Sequence, residues 1–187
     1  MLRLTKLLLP ALIACVALAV PAPASAAKRC ANATTIPDAT NLAQIKKATL
    51  CLLNVERRAR GRVRLRANGQ LAKAARRYSA TMVRQGFFDH VSPSGSTLGS
   101  RIRAGTSYLE GPVSRWSLGE NLAWGSRELA TPKQIVRSWM RSPGHKRNIL
   151  DRRFRHIGIG VVLGAPEDVG GQPAATYTTN FGLRVRR

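Results

Sequence analysis

This sequence predicts a mixed α/β layer structure in a single domain. Amphipathic stretches with helical period come first, and strand-like segments with shorter period fill the last third. Once the first 26 residues are set aside, about 160 remain. That is enough for one sizeable core and too little for two. There is no internal repeat.

Asn41 to Arg60 reads as the first helix. Ile45, Ala48, Leu52, Val55 and Ala59 form its apolar stripe, with Lys46, Lys47, Arg57 and Arg58 mostly off it. Gly61 stands where helices usually end. Val63 to Ala67 is a short linker in which Leu65 turns inward between outward-pointing arginines. Asn68 caps a second helix, whose buried side carries Leu71, Ala74, Ala75, Tyr78, Met82 and Val83 and which Gly86 closes. Ser96 to Ala104 is a short helix with Leu98 and Ile102 inward, followed by a loop over Gly105 to Ser117. Thr131 caps the next helix, Pro132 to Arg141, where Pro132 takes the first position and its missing N–H costs nothing. Ile135, Val136, Trp139 and Met140 make its core side. Ser142-Pro143-Gly144 stops that helix, so His145 begins a new element.

His156 to Leu163 reads as a strand, and Thr176 to Gly182, extended by Leu183 to Val185, as another. A loop over Gly164 to Ala174 joins them. The glycines of Ile157-Gly158-Ile159-Gly160 imply a closely packed neighbour. Without GxGxxG spacing and a following helix they are not a dinucleotide loop.

The first residues read as an export signal. Arg3 and Lys6 precede the apolar run Leu7 to Val20, and Ala24-Ser25-Ala26 fits a signal-peptidase site. Residues 1–26 are therefore assigned to the signal, with cleavage after Ala26 or Ala27. Two alternatives stay open: a retained membrane anchor, and a lipoprotein box at Leu12-Ile13-Ala14-Cys15 that would lipidate Cys15. Export leaves Cys30 and Cys51 as an even pair in an oxidising compartment, expected to be bridged.

The net charge is +22, with 31 basic against nine acidic residues. Most of the excess is arginine spread along the chain. Such a surface attracts anionic wall polymer or lipid, although a GC-rich coding bias also enriches arginine. No aromatic-interleaved strand accompanies it, so nucleic acid is not expected as a partner.

Two of the three histidines have similar settings: His90 in Phe87-Phe88-Asp89-His90-Val91-Ser92-Pro93, and His145 in Ser142-Pro143-Gly144-His145. Glu120 lies between them in Gly119-Glu120-Asn121, read as a turn before an apolar run. These three residues are the candidate site. Two imidazoles and a carboxylate are ligand types for an open zinc site and also suit proton transfer. Their spacings of 30 and 25 residues leave the convergence to the fold, and no HExxH helix is present. His156, leading a strand, reads as structural. Ser92, Ser94 and Ser142 lie near the histidines, but none sits in a G-x-S-x-G elbow.

The chain resembles the CAP superfamily (cysteine-rich secretory protein, antigen 5 and pathogenesis-related 1; the SCP domain) in its compact bacterial secreted form. The resemblance spans about Leu50 to Gly182. It rests on Leu53-Asn54-Val55-Glu56-Arg57-Arg58-Ala59-Arg60-Gly61, Gly86-Phe87-Phe88-Asp89-His90, Gly119-Glu120-Asn121, Trp139 through Leu150, and Tyr177-Thr178-Thr179-Asn180-Phe181-Gly182. It implies an α-β-α sandwich with a central antiparallel sheet between helical layers. The domain would occupy residues 45–187 after a leader at 27–44. It also implies a cleft tetrad of two histidines and two acids. His90, Glu120 and His145 match three of these, and the second acid is replaced by Ser142. Asn54 and Glu56 match a polar pair of the first helix that secures local structure and takes no part in chemistry. The resemblance leaves any reaction unassigned.

The expected function is a secreted, bacterial cell-envelope binding protein. Its His90–Glu120–His145 cleft holds a small polar ligand or weakly bound zinc, and its basic surface holds anionic wall polymer or lipid. The alternatives are a metal-assisted, peptidase-like hydrolase using those same residues as catalytic groups, and an interaction protein with a vestigial cleft.

Overall fold

The computed structural model describes residues 30–186. Residues 1–26, read as an export signal, and Cys15 within them lie outside the described residues. Among the described residues, five α-helices, α1 (Leu42–Arg58), α2 (Gly69–Gln85), α3 (Leu98–Gly105), α4 (Pro132–Arg141) and α5 (Pro143–Leu150), accompany four strands. These are β1 (Arg66–Ala67), β2 (Val113–Ser126), β3 (His156–Leu163) and β4 (Ala174–Arg186), in the spatial order β1-β3-β4-β2. The two long pairings, β2 with β4 and β3 with β4, are antiparallel, and only the two-residue β1 runs parallel to β3. None of the helices among the described residues is long and apolar enough to cross a membrane.

The alternation of side chains along β3 divides the molecule into layers. Ile157, Ile159 and Val161 pack with Ile45, Leu52 and Leu53 of α1 and with Ile135, Val136 and Trp139 of α4. The opposite face carries Gly158 and Gly160. A Cβ at Gly158 would lie 2.0 Å from the Leu71 carbonyl carbon, and one at Gly160 would lie 2.2 Å from the Arg76 nitrogen. Those glycines let the α2 backbone lie directly on the sheet, the close approach that the sequence implied. On this second face, Leu71 and Ala74 pack with Ile102 of α3 and Tyr108, and Tyr78 and Met82 pack with Leu122 of β2. The fold is thus an α-β-α sandwich, with α1, α4 and α5 on one side and α2 and α3 on the other.

Cys30 and Cys51 are bonded, with their Cα atoms 5.8 Å apart, tying the leader to α1. Ala33 of that leader accepts a hydrogen bond from the Lys133 N–H at the start of α4.

Four expectations need correction. The segment read as a loop up to Ser117 becomes β2 from Val113 onward, because it pairs with the distant β4 and not because of its own pattern. Glu120 is therefore mid-strand and not in a turn. Residues Arg66 and Ala67 of the presumed linker form β1. Arg57, placed mostly off the apolar stripe of α1, is fully buried. Its guanidinium donates to the carbonyls of Val63, Ile149, Asp151 and Phe154 at 2.6–3.3 Å. Those acceptors satisfy a charge that burial would otherwise exclude, and burial pushes its pKa down. Leu65 is buried as expected, and Asn54 bonds both its N–H and its C=O.

Candidate functional site

The site forms on β2, the edge strand, where groups from both helical layers meet. Glu120 projects toward the α2/α3 face, opposite Asn180 of β4, with its side chain only 3% exposed. The preceding residue has to be glycine: a Cβ at Gly119 would lie 2.8 Å from the Phe154 ring and 3.2 Å from Asn148 Oδ1. This space admits Asn148 of α5. Its Nδ2 donates to the Glu120 carbonyl at 2.9 Å and to Asn121 Oδ1 at 2.9 Å. Asn121 Nδ2 in turn donates to the His145 carbonyl at 3.1 Å. Trp139 Nε1 donates to the Leu122 carbonyl at 2.8 Å. Edge carbonyls of β2 are thereby covered by side chains of α4 and α5. The first turn of α5, which carries His145, is held against the strand.

His90 arrives from the other layer. After Gly86 caps α2, the Tyr78 hydroxyl donates to the Asp89 carbonyl at 2.6 Å, and the Val91 N–H closes a turn on Asp89 Oδ1 at 3.0 Å. The loop brings His90 Nδ1 to within 2.8 Å of Glu120 Oε1. Arg101 of α3 completes the cluster. Its Nη2 lies 3.0 Å from Oε1 and 2.8 Å from Oε2 of Glu120. Its Nη1 donates to the carbonyls of Ser96 at 2.6 Å and His90 at 3.1 Å. The guanidinium also lies 3.3 Å above the Tyr78 ring centroid, a close cation–π contact.

Sequence reasoning missed Arg101. The signal was present: it lies three residues after Leu98 and next to Ile102, on the inward face of α3. Among so many arginines it did not stand out.

The two histidines have opposite electrostatic environments. The hydrogen bond to Glu120 raises the His90 pKa and outweighs its partial burial. Burial lowers that of His145, with the charge of His90 as a second cause. His90 therefore takes up a proton more readily than His145 does. Burial also pushes the Tyr78 hydroxyl up to about 12, so it serves as a hydrogen-bond donor. His156 stands apart, with its Nδ1 2.9 Å from the Tyr108 hydroxyl, in the structural role expected of it.

Among the described residues, no three His, Cys, Asp or Glu side chains form a metal-holding group. Both Glu120 oxygens are engaged by Arg101 and His90, so this carboxylate orients a ring. That arrangement fits a histidine ligand whose far nitrogen, Nε2, is free for a metal or a polar group. His145 is the second imidazole available. Two imidazoles fit a weak zinc site and fall short of a tight one.

The family model described as the cysteine-rich secretory protein family, CAP, matches residues 50–180. The chain belongs to the CAP family. It is 37% identical over 142 residues to YkwD of Bacillus subtilis (strain 168), an alignment covering 75% of this chain and 50% of YkwD. It is 30% identical over 116 residues to the membrane protein YlbC of the same organism, covering 62% of this chain and 31% of YlbC. The chain therefore spans half or less of the length of these relatives. The structure of an extracellular protein containing an SCP domain from Bacillus anthracis superposes with a TM-score of 0.56 at 24% identity, covering 81% of this chain and 45% of that one. An outer surface protein from Borrelia burgdorferi superposes with a TM-score of 0.59 at 18% identity, covering 81% of this chain and 99% of that one. These likenesses confirm the CAP fold. Ser142, where the resemblance leads one to expect the second acid of the tetrad, joins α4 to α5 and supplies no carboxylate.

Proposed function

We propose that this CAP protein is a secreted binding protein of the bacterial cell envelope, with two surfaces in different roles. A basic end anchors it to anionic wall polymer or lipid. The His90–His145 cleft holds a small polar ligand or, weakly, a divalent metal such as zinc, with Glu120 and Arg101 positioning His90. Zinc bound there would supply Lewis acidity; the chain's own part is to fix the His90 ring and keep His145 neutral.

One observation carries this reading: seven exposed arginines from two segments distant in sequence adjoin each other. Arg58, Arg60, Arg64 and Arg66 run on from the last residue of α1, and Arg152, Arg153 and Arg155 follow α5. The bond from the Arg66 N–H to the Arg155 carbonyl, 2.9 Å, joins these two segments at one end of the molecule. His145 lies on the first turn of α5, at the other end of that helix.

Co-sedimentation with cell wall or acidic liposomes across a salt series tests the division of roles. Association should survive H90A/H145A, fall in R58Q/R64Q/R66Q, and be lost by about 1 M NaCl, where the Debye length is about 3 Å. Retention at that salt together with loss in the double histidine variant would assign anchoring to the cleft.

The second reading is a hydrolase, and the His90–Glu120 pair is what favours it, as a carboxylate-oriented base. Turnover of an envelope substrate that disappears in H90A would replace the binding reading.

A further inference from the structure

Bordered by Arg101, a cavity of about 480 Å³ opens between α2, α3 and the loop that carries His90. His90, Glu120 and His145 are not among its lining residues. Its volume is that of a small-molecule site. The wall contains Arg77, Arg101 and the serines Ser92, Ser94, Ser96 and Ser100, together with a threonine and a glutamine, and no carboxylate lines it.

The charges on this wall are unequal. Arg101 is neutralised by Glu120. Arg77 is exposed, makes no ion pair among the described residues, and gives one hydrogen bond, from Nη1 to the Gly105 carbonyl at 3.3 Å. Its remaining guanidinium donors are uncommitted. The Ser94 hydroxyl shares one hydrogen bond with Ser92 at 2.9 Å, and Ser96 shares one with Ser100 at 3.4 Å. The Ser100 hydroxyl is spent on Thr97, donating to its carbonyl at 2.9 Å and accepting from its N–H at 2.9 Å, and Ser92 Oγ accepts from the Ser96 N–H at 3.0 Å. A hydroxyl donates once and accepts twice, so Ser94 and Ser96 retain capacity for the hydroxyls of a ligand. A guanidinium is suited to an oxyanion, and the lack of lining carboxylates disfavours a cation.

We infer that this cavity binds one anionic, hydroxyl-bearing unit, namely a sugar or polyol carrying a phosphate or a carboxylate. Arg77 takes the anion, and Ser94 and Ser96 take the hydroxyls. The inference does not rest on the basic end or on the histidine cleft: Arg101, the lining residue shared with that cleft, is neutralised by Glu120 and has no part in holding the ligand.

Calorimetric titration of the protein with glycerol 3-phosphate and with glucuronate tests it, with glycerol and inorganic phosphate as partial ligands. One of the two charged polyols should bind at least about tenfold tighter than either partial ligand, and which one does so identifies the anion. R77Q should weaken that binding about 10- to 100-fold, the range of a charged hydrogen bond. R77K should lie between R77Q and the wild type, because lysine keeps the charge and loses the fork. S94A/S96A should weaken it several-fold, and H90A/H145A should leave it unchanged. Arg77 is exposed, so circular dichroism should show all its variants folded. Equal affinity for inorganic phosphate would mean that only charge is read and would overturn the assignment. So would binding that persists in R77Q, binding lost in H90A/H145A, or no binding of either probe. Wall association that survives R77Q would leave the anchoring role of the basic end intact.

Discussion

Replacing Arg101 by methionine should strip Glu120 of its main partner and reveal how the site is held. The side chains are 11% and 3% exposed, so the pair is close to fully desolvated. Removing one member of such a pair costs about 3–5 kcal/mol, because the other charge stays buried. Two carbonyls, of Ser96 and His90, lose their donor as well. For a domain of this size that corresponds to a fall of roughly 6–20 °C in Tm. The cost should be smaller at pH 5 than at pH 8.5, since protonated His90 can still pair with Glu120 at the lower pH. The His90 pKa should rise further, because the Arg101 charge now lowers it. R101M/E120Q should be less destabilised than the sum of the two single variants by at least about 1 kcal/mol. Urea unfolding of the four proteins at both pH values is the assay. A loss under about 1 kcal/mol in R101M, or strict additivity in the double variant, would refute the claim that Arg101 holds Glu120.

Three further outcomes follow from the same structure. Zinc should bind weakly by calorimetry, lose affinity in H90A and in H145A, and bind tighter in S142E if the added carboxylate reaches the imidazoles; an unchanged S142E would remove Ser142 from the site. G160A should destabilise the protein by about 1–3 kcal/mol or more, because its methyl would meet the α2 backbone at 2.2 Å; thermal unfolding measures it. Reducing the Cys30–Cys51 bond, which closes a loop of 21 residues, should cost about 3 kcal/mol on loop-entropy grounds, measured by urea unfolding with and without reductant.

The sequence made the helices legible because their signals are local. Asn68 accepts from the Leu71 N–H at 3.1 Å as its cap position required, and Pro132 opens α4. β3 and the core of β4 were legible from their apolar runs and glycines. β2 was hidden because its start is exposed at Ser114, Arg115 and Trp116, and its partner lies about 60 residues away. For the site, residue types in turn-like settings and the resemblance picked out His90, Glu120 and His145. The structure joins His90 to Glu120 by a direct bond and holds the His145 helix on the same strand. What could not be read was the competition for Glu120. Arg101 binds both its oxygens, and only the packing of α3 against the His90 loop shows this.

A pH titration of the imidazole nitrogens by NMR tests most directly whether Glu120 orients His90. His90 should titrate above its ordinary value of about 6.5 and His145 below it. The stability contribution of His90 is then fully present below about pH 6.5 and fades as pH rises through its folded value. That of His145 is fully present above about pH 6.5 and fades as pH falls through its folded value. Neutral His90 should carry its proton on Nδ1, donated to Glu120, with Nε2 unprotonated and open to a ligand. A His90 midpoint at or below that of His145, or a neutral His90 protonated on Nε2, would contradict the account.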